Sequence, residues 1–173
     1  MDIPPDGHYV TSGLMLFPKH EEAIDQILDE LRGKLPAKLA IVTTRDGQFI
    51  AASGELVNSV DLVGLGSLIA GDLAASHQIA RLTGVYGDFQ VVLREGADSH
   101  IFASDAGPHM ALFILAPGTV PVGWVRLLGL EASRMLAKVA AIPPDEVDPQ
   151  TLGFDDKSLA DRFDQALNKL WTD

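Results

Sequence analysis

The sequence predicts an α+β fold in which a five-stranded antiparallel sheet is flanked by helices, with one further helix appended at the C-terminus. Two observations lead to this prediction. The segments follow the order helix, two strands, helix, three strands, helix and appended helix. Apart from the central helix, each connection between successive strands is short enough for a hairpin, and hairpins pair strands antiparallel.

The first helix is predicted from the spacing of its apolar residues, and the first hairpin from the residues of its turn. Residues 21–35 carry an apolar residue at each helical interval, and Pro36 ends the helix. Two β-rich segments follow at 39–44 and 48–53. Between them lies Arg45-Asp46-Gly47, and Asp-Gly between two such segments is a strong hairpin signal.

The second half of the sheet is predicted from three further strands. Residues 90–94 and 100–104 flank a five-residue loop that contains Gly96, and a turn through Gly107 and Pro108 leads to residues 110–115. A helix over 122–141 then carries a broad apolar face. The last helix is amphipathic, with one apolar side made of Phe154, Leu159, Phe163, Ala166, Leu167 and Leu170.

Composition divides the chain into three parts. Residues 1–19 are predicted to be a flexible arm, because the first 18 residues hold three prolines and two glycines and show no sustained period. Residues 20–142 form the predicted domain. Residues 143–173 form an acidic linker and C-terminal helix with eight acids and three bases, a net charge of −5. Such a segment is typical of a solvated surface, and it can also steer a basic partner.

Charge and composition exclude several function classes. The net charge of −11 argues against binding to a phosphate backbone or to an anionic membrane surface, so no nucleic acid or membrane partner is expected. Cysteine is absent, which excludes disulfides, thiol catalysis and cysteine-ligated zinc. The N-terminus lacks a basic region followed by an apolar run, and no apolar run reaches membrane-spanning length. We therefore expect a cytoplasmic protein.

The central helix, residues 65–82, has two differently built faces. Leu65, Leu68, Ile69, Leu73, Ile79 and Ala80 fall on one arc, interrupted by Asp72 and Ser76, and this arc is predicted to be the core side. The other face is made of small residues with few long polar side chains: Gly66, Ser67, Ala70, Gly71, Ala74 and Ala75, with His77, Gln78 and Arg81 among them. Because small residues let another backbone approach closely, we interpret this face as a contact surface.

No pattern of residues indicates an enzyme. Gly64-Leu65-Gly66 precedes a helix but lacks the spacing of either phosphate-binding motif, so no nucleotide or other cofactor is expected. The five histidines show no metal-ligand spacing, so no metal site is expected. Asp72, Ser76 and His77 share a helix, but His77 points about 100° away from Ser76, which does not suit a catalytic triad. We predict a binding module.

The block from Ile24 to Ala141 resembles a Roadblock domain, the fold of dynein Roadblock light chains and bacterial gliding-polarity regulators of the MglB type. The resemblance is carried by IDQILDELRGKLPAKLAIVTTRDGQFIAASG, by the small-residue helix ending in IARLTG, and by FQVVL, HIFAS and MALFILAP. It implies a profilin-like α/β sandwich that forms a homodimer, in which the central helices of two protomers pair and the sheets join. It also implies a non-catalytic protein that binds a small Ras-like GTPase, as an activating or exchange-promoting partner in bacterial cell polarity.

The resemblance also implies a site. The paired helices form a platform, and the candidate partner-binding residues are Ala70, Gly71, Ala74, Ala75, His77 and Gln78, with Phe163 and Leu170 on the C-terminal helix. Arg81 is the only arginine assigned to the platform, and we expect it to form an ion pair, so that a GTPase would supply its own catalytic groups.

Two alternatives to a GTPase regulator stay open at this point. The first is a scaffold or adaptor that docks a different protein on the same surface. The second is a small-molecule sensor, which predicts an apolar cavity beneath Trp124.

Overall fold

The computed structural model describes residues 8–9, 13–85 and 91–170, without the side chains of His8, Tyr9, Ala166, Leu167, Lys169 and Leu170. The helices are α1 (Pro18–Lys34), α2 (Leu62–Thr83), α3 (Val122–Ala141) and α4 (Asp156–Leu170). The strands are β1 (His8–Tyr9), β2 (Met15–Leu16), β3 (Leu39–Thr44), β4 (Phe49–Ser53), β5 (Val91–Glu95), β6 (Ser99–Ala106) and β7 (Met110–Pro117). None of the helices in these ranges is long and apolar enough to cross a membrane.

Strands β3 to β7 form one antiparallel sheet in the order β4-β3-β7-β6-β5, which confirms the predicted fold class. The hairpins β3–β4, β5–β6 and β6–β7 are the predicted ones. Strands β6 and β7 are longer than predicted because their pairing continues from Ser99↔Pro117 to Ala106↔Met110. The small β1–β2 hairpin was not predicted.

The sheet is covered on both faces. One face packs against α1 and α3 through residues such as Val42, Phe102 and Ile114, which are fully buried. The other face packs against α2 through Leu39, Ile41, Ala103 and Phe113. Neighbouring residues of one strand serve opposite faces, as the pleat requires. Among the described helices, α2 is therefore the one that covers this side of the sheet.

The start of α1 is fixed by a buried histidine. The backbone N–H of Phe17 donates to His20 Nδ1 (3.2 Å), and His20 Nε2 lies 2.9 Å from the carbonyl oxygen of Ile142 at the end of α3. With Pro18 in its first turn, α1 begins three residues before the predicted start at 21. Leu14 and Leu16 are also buried, so this part of the segment predicted as an arm packs into the core.

The appended helix α4 docks on the α1 and α3 side. Leu159 is buried in the same core as those helices, and the Phe163 ring meets the Trp124 ring edge-on at 6.0 Å. Two ion pairs flank these contacts, Lys34 with Asp156 and Arg162 with Glu131. Thus α4 and α2 lie on opposite sides of the sheet.

Candidate functional site

Helix α2 is capped at both ends and attached to the sheet by few side chains. The Asp61 carboxylate accepts from the Gly64 N–H (3.0 Å) at its start, and Gly84 ends it with a φ of 71°. The residues of α2 that are buried are Gly66, Ile69, Leu73 and Ala80. Only a narrow stripe of this helix therefore faces the core.

Gly66 and Gly47 bring α2 against the tip of the β3–β4 hairpin. A Cβ on Gly66 would lie 2.4 Å from the carbonyl oxygen of Gly47, and Gly47 itself has a φ of 94°. Both positions require glycine, Gly66 for the close approach and Gly47 also for its backbone angle. The Asp-Gly turn predicted from the sequence thus closes the hairpin and also packs against α2.

The outer surface of α2 is rich in large apolar side chains. The helix residues Val63, Leu68, Ile79 and Leu82 and the adjacent Val85 are between 63% and 78% exposed. The prediction that Leu68 and Ile79 belong to the core arc was wrong. A broad apolar arc on a helical wheel does not show where the buried stripe ends, and here only its middle touches the sheet.

The small residues lie in the middle of this outer surface. Gly71, Ala74, Ala75 and Gln78 are exposed, and Ala70 is half-buried. A Cβ on Gly71 would meet nothing within 4 Å, so the domain itself does not require glycine there. We define the α2 outer face as Val63, Leu68, Gly71, Ala74, Ala75, Gln78, Ile79, Leu82 and Val85.

An arginine from the edge strand β5 binds α2. Arg94 Nη1 and Nη2 donate to the two carboxylate oxygens of Asp72 at 2.7 and 2.6 Å. These hydrogen bonds hold the pKa of Asp72 below its ordinary value of 3.8, against a smaller opposing effect of burial, and they raise the pKa of Arg94. Asp72 thus ties the helix to the edge of the sheet.

This pair makes stability depend on pH. Because the folded-state pKa of Asp72 is lower than its unfolded value, the pair stabilises the fold above pH 3.8, and this contribution is lost as the pH falls below that value. Both side chains are partly solvated, so we expect Asp72→Asn to lower the free energy of unfolding at pH 7 by at most about 1 kcal/mol. Urea unfolding at pH 7, pH 5 and pH 3 checks this: the difference from wild type should persist at pH 5 and shrink at pH 3. An undiminished difference at pH 3 would contradict it.

His77 is held by groups from two other elements. Its Nε2 lies 2.7 Å from Asp105 Oδ2 on β6, and its Nδ1 lies 3.3 Å from Arg45 Nη2 in the β3–β4 turn. The Ser76 hydroxyl donates instead to the carbonyl oxygen of Asp72. The side chains of Asp72, Ser76 and His77 therefore do not bond to one another, and His77 packs inward beside the α2 outer face.

The two candidates on α4 lie elsewhere. Phe163 is 43% exposed and packs on Trp124, on the far side of the sheet from α2, and the side chain of Leu170 is outside the described residues. An open groove of about 430 Å³ runs beside Phe163, lined by Lys34, Trp124, Asp156, Leu159, Ala160 and Phe163. The sensor hypothesis predicts an apolar cavity between the sheet and the helices beneath Trp124, whereas this groove opens to solvent between helices and has no sheet residue in its lining.

Arg45 and Arg94 are site residues that the sequence reasoning missed, since it assigned only Arg81 to this surface. Their carboxylate partners, Asp105 and Asp72, lie on other elements. Across the described ranges, no three His, Asp or Glu side chains come together in a way that could hold a metal ion. The arrangement is that of a contact surface with charged groups beside it.

A family model described as the Roadblock/LC7 domain matches residues 23–116. The fold is similar to that of the gliding protein MglB from Thermus thermophilus, with 29% identity, a TM-score of 0.67, and coverage of 76% of this chain and 98% of that one. It is similar to MglB from Myxococcus xanthus, with 28% identity, a TM-score of 0.65, and coverage of 72% and 92%. A Roadblock/LC7 domain from Streptomyces avermitilis, 22% identical with a TM-score of 0.56 over 68% and 93%, shares the fold. No curated protein matches the sequence.

Proposed function

The chain belongs to the Roadblock/LC7 domain family, and on this premise we propose that it is a non-catalytic, homodimeric regulator of a small Ras-like GTPase. The GTPase binds on a platform made by the α2 helices of two copies. The class of partner comes from the family resemblance. The observation that carries the proposal is the α2 outer face, an apolar helix surface left uncovered in a single copy.

The distribution of side-chain size along this face suits a second copy. Gly71, Ala74 and Ala75 lie near the middle of a helix about 33 Å long, with large apolar residues toward both ends. When two such helices cross antiparallel near Ala75, the small residues allow close approach of the backbones. Leu68 of one copy then lies opposite Leu82 of the other. The face is complementary to itself, as a two-fold symmetric interface requires.

Charge supports the same arrangement. Within the described residues, the charged groups on α2, at its cap, or hydrogen-bonded or ion-paired to its side chains include three arginines and three aspartates: Arg45, Arg81, Arg94, Asp61, Asp72 and Asp105. They balance, although the whole chain carries −11. Two copies therefore meet through α2 without strong repulsion.

Relatives support self-association as well. A structure described as MglB with a tetrameric arrangement is 28% identical to this chain, with a TM-score of 0.67 over 76% of this chain and 98% of that one. The proposal assigns α2 as the element through which the copies of this chain first pair.

The test is an assay of GTP hydrolysis and nucleotide release by Ras-like GTPases from the same source, with and without this protein. We expect one of them to respond to wild type and to lose the response with Ala74→Arg combined with Ala75→Arg. Both alanines are exposed, so the fold should tolerate the change. The control is Ala141→Arg, an exposed alanine at the end of α3.

Two outcomes would contradict the proposal. If the double variant still regulates the GTPase, α2 is not part of the interface. A protein that forms dimers and yet affects the activity of no GTPase would favour a scaffold that docks another protein on the same face.

A further inference from the structure

We propose that the Arg45 guanidinium is a preset binding site for an oxyanion, a carboxylate or a phosphate, which the partner presents beside the α2 outer face. The proposed function supplies only the identity of the partner. The site itself follows from the contacts of Arg45, which differ from those of the other arginines near α2.

The backbone under Arg45 is firmly placed. Its N–H donates to the carbonyl oxygen of His109 (2.9 Å), and the next residues form the turn closed by the Gly47 N–H to the Thr44 carbonyl oxygen (3.0 Å). The Thr44 hydroxyl also donates to the Asp46 carboxylate within this turn. Because the turn also seats α2 at Gly66, Arg45 starts from a fixed position beside the helix.

Two contacts orient the side chain of Arg45 without using all of its N–H donors. One terminal nitrogen contacts His77 Nδ1 at 3.3 Å, and Nε lies 3.6 Å from Asp105 Oδ1, beyond hydrogen-bond distance. Asp105 Oδ1 is buried and has no hydrogen-bond partner within the described part of the chain. The side chain of Arg45 is 46% exposed. Within the described residues, one of the five N–H donors of this guanidinium is hydrogen-bonded, and the other four can serve a ligand.

Arg94 shows the opposite arrangement on the same side of the sheet. Both of its terminal nitrogens bind the Asp72 carboxylate, so its fork is occupied. Arg81 is exposed on α2 and serves as the reference arginine for anion binding in the absence of a partner. A guanidinium held in place with free donors matches the planar, bidentate geometry of carboxylate and phosphate, and little side-chain entropy is lost when it binds.

The first experiment needs no partner. The isotope-labelled protein is titrated separately with inorganic phosphate and with acetate, and the Nε–Hε signals of its arginines are followed by NMR. We expect the Arg45 signal to shift and saturate at concentrations several-fold below those that affect Arg81. An Arg45 signal that responds no more than that of Arg81 to either anion would overturn the proposal.

The second experiment locates the source of the oxyanion. We expect Arg45→Ala to weaken binding of the GTPase at least about tenfold and Arg45→Lys to restore it only in part. The control is Arg126→Ala, at an exposed arginine of α3 on the other side of the sheet, and it should change binding less than about threefold. A loss seen only when the GTPase holds GDP or a non-hydrolysable GTP analogue would assign a phosphate of the nucleotide. An equal loss with the nucleotide-free GTPase would assign a carboxylate of the partner protein.

The two proposals fail in different ways. If Arg45→Ala behaves like Arg126→Ala while the Ala74→Arg, Ala75→Arg variant loses binding, Arg45 is not an oxyanion site and the platform stands. If that double variant binds normally, the platform is wrong, and the phosphate and acetate titrations still decide the role of Arg45.

Discussion

Replacing Leu68 and Leu82 together with arginine is expected to convert the protein from a dimer to a monomer, with a dissociation constant raised about 100-fold or more. In the proposed antiparallel pair these two leucines meet across the two-fold axis, so the double change places four guanidinium groups in one apolar interface. Both side chains are more than 70% exposed in the single copy, so the free energy of unfolding of the monomer should stay within about 0.5 kcal/mol of wild type.

Analytical ultracentrifugation over a concentration series measures this effect. The matched control is Phe49→Arg, which changes an exposed apolar residue on β4 at the edge of the sheet. A dimer that survives the Leu68 and Leu82 changes would show that α2 does not form the pair. A dimer that is lost equally with Phe49→Arg would place the β4 edge of the sheet in the interface as well.

Adding one methyl group to Gly66 or to Gly71 is expected to have opposite effects on stability. At Gly66 a Cβ would lie 2.4 Å from the Gly47 carbonyl oxygen, so the helix or the hairpin must move, and we expect a loss of about 1–3 kcal/mol. At Gly71 a Cβ would meet nothing within 4 Å, and glycine in a helix costs about 1 kcal/mol relative to alanine, so stability should rise by about that amount.

Urea denaturation of the two single variants gives both values, provided the protein is held below the concentration at which it self-associates. At low concentration, the free energy of unfolding of Gly71→Ala reports the stability of the single domain. At high concentration, its difference from wild type reports how closely a second copy approaches Gly71. An increase in stability with Gly66→Ala would mean that Gly66 does not pack against the backbone of Gly47.

The fold was largely predictable because its elements are marked locally. The Asp46-Gly47 turn, the loop with Gly96 and the helical period of residues 24–35 each depend on near neighbours in sequence. The start of α1 was missed because it depends on His20 bonding to Ile142, a contact 122 residues away. Such long-range contacts leave no periodic signal.

The candidate site was predictable only in part. The small residues of α2 indicated a contact surface, but the exposure of Leu68 and Ile79 followed from how little of the helix the sheet covers, which the sequence does not state. A helix that is apolar around most of its circumference does suggest burial on two sides, and this signal was available. Arg45 and Arg94 were missed because their acidic partners come from other strands and helices.

The segment between α3 and α4 has a consequence for how two copies approach each other. Residues 142–155 hold four acids and no base, namely Asp145, Glu146, Asp148 and Asp155, and Val147 among them is buried in the core beside α1 and α3. These acids therefore lie on the opposite side of the sheet from the balanced charges around α2. Screening in 0.1 M salt acts over about 10 Å, less than the thickness of the domain, so each side of the molecule acts as a separate electrostatic surface. Encounters that bring two of these acidic segments together are repelled, while encounters between α2 sides are not. The acidic segment therefore filters collisions by orientation, and lowering the salt concentration should make that filter stricter without weakening the apolar contact between the α2 helices.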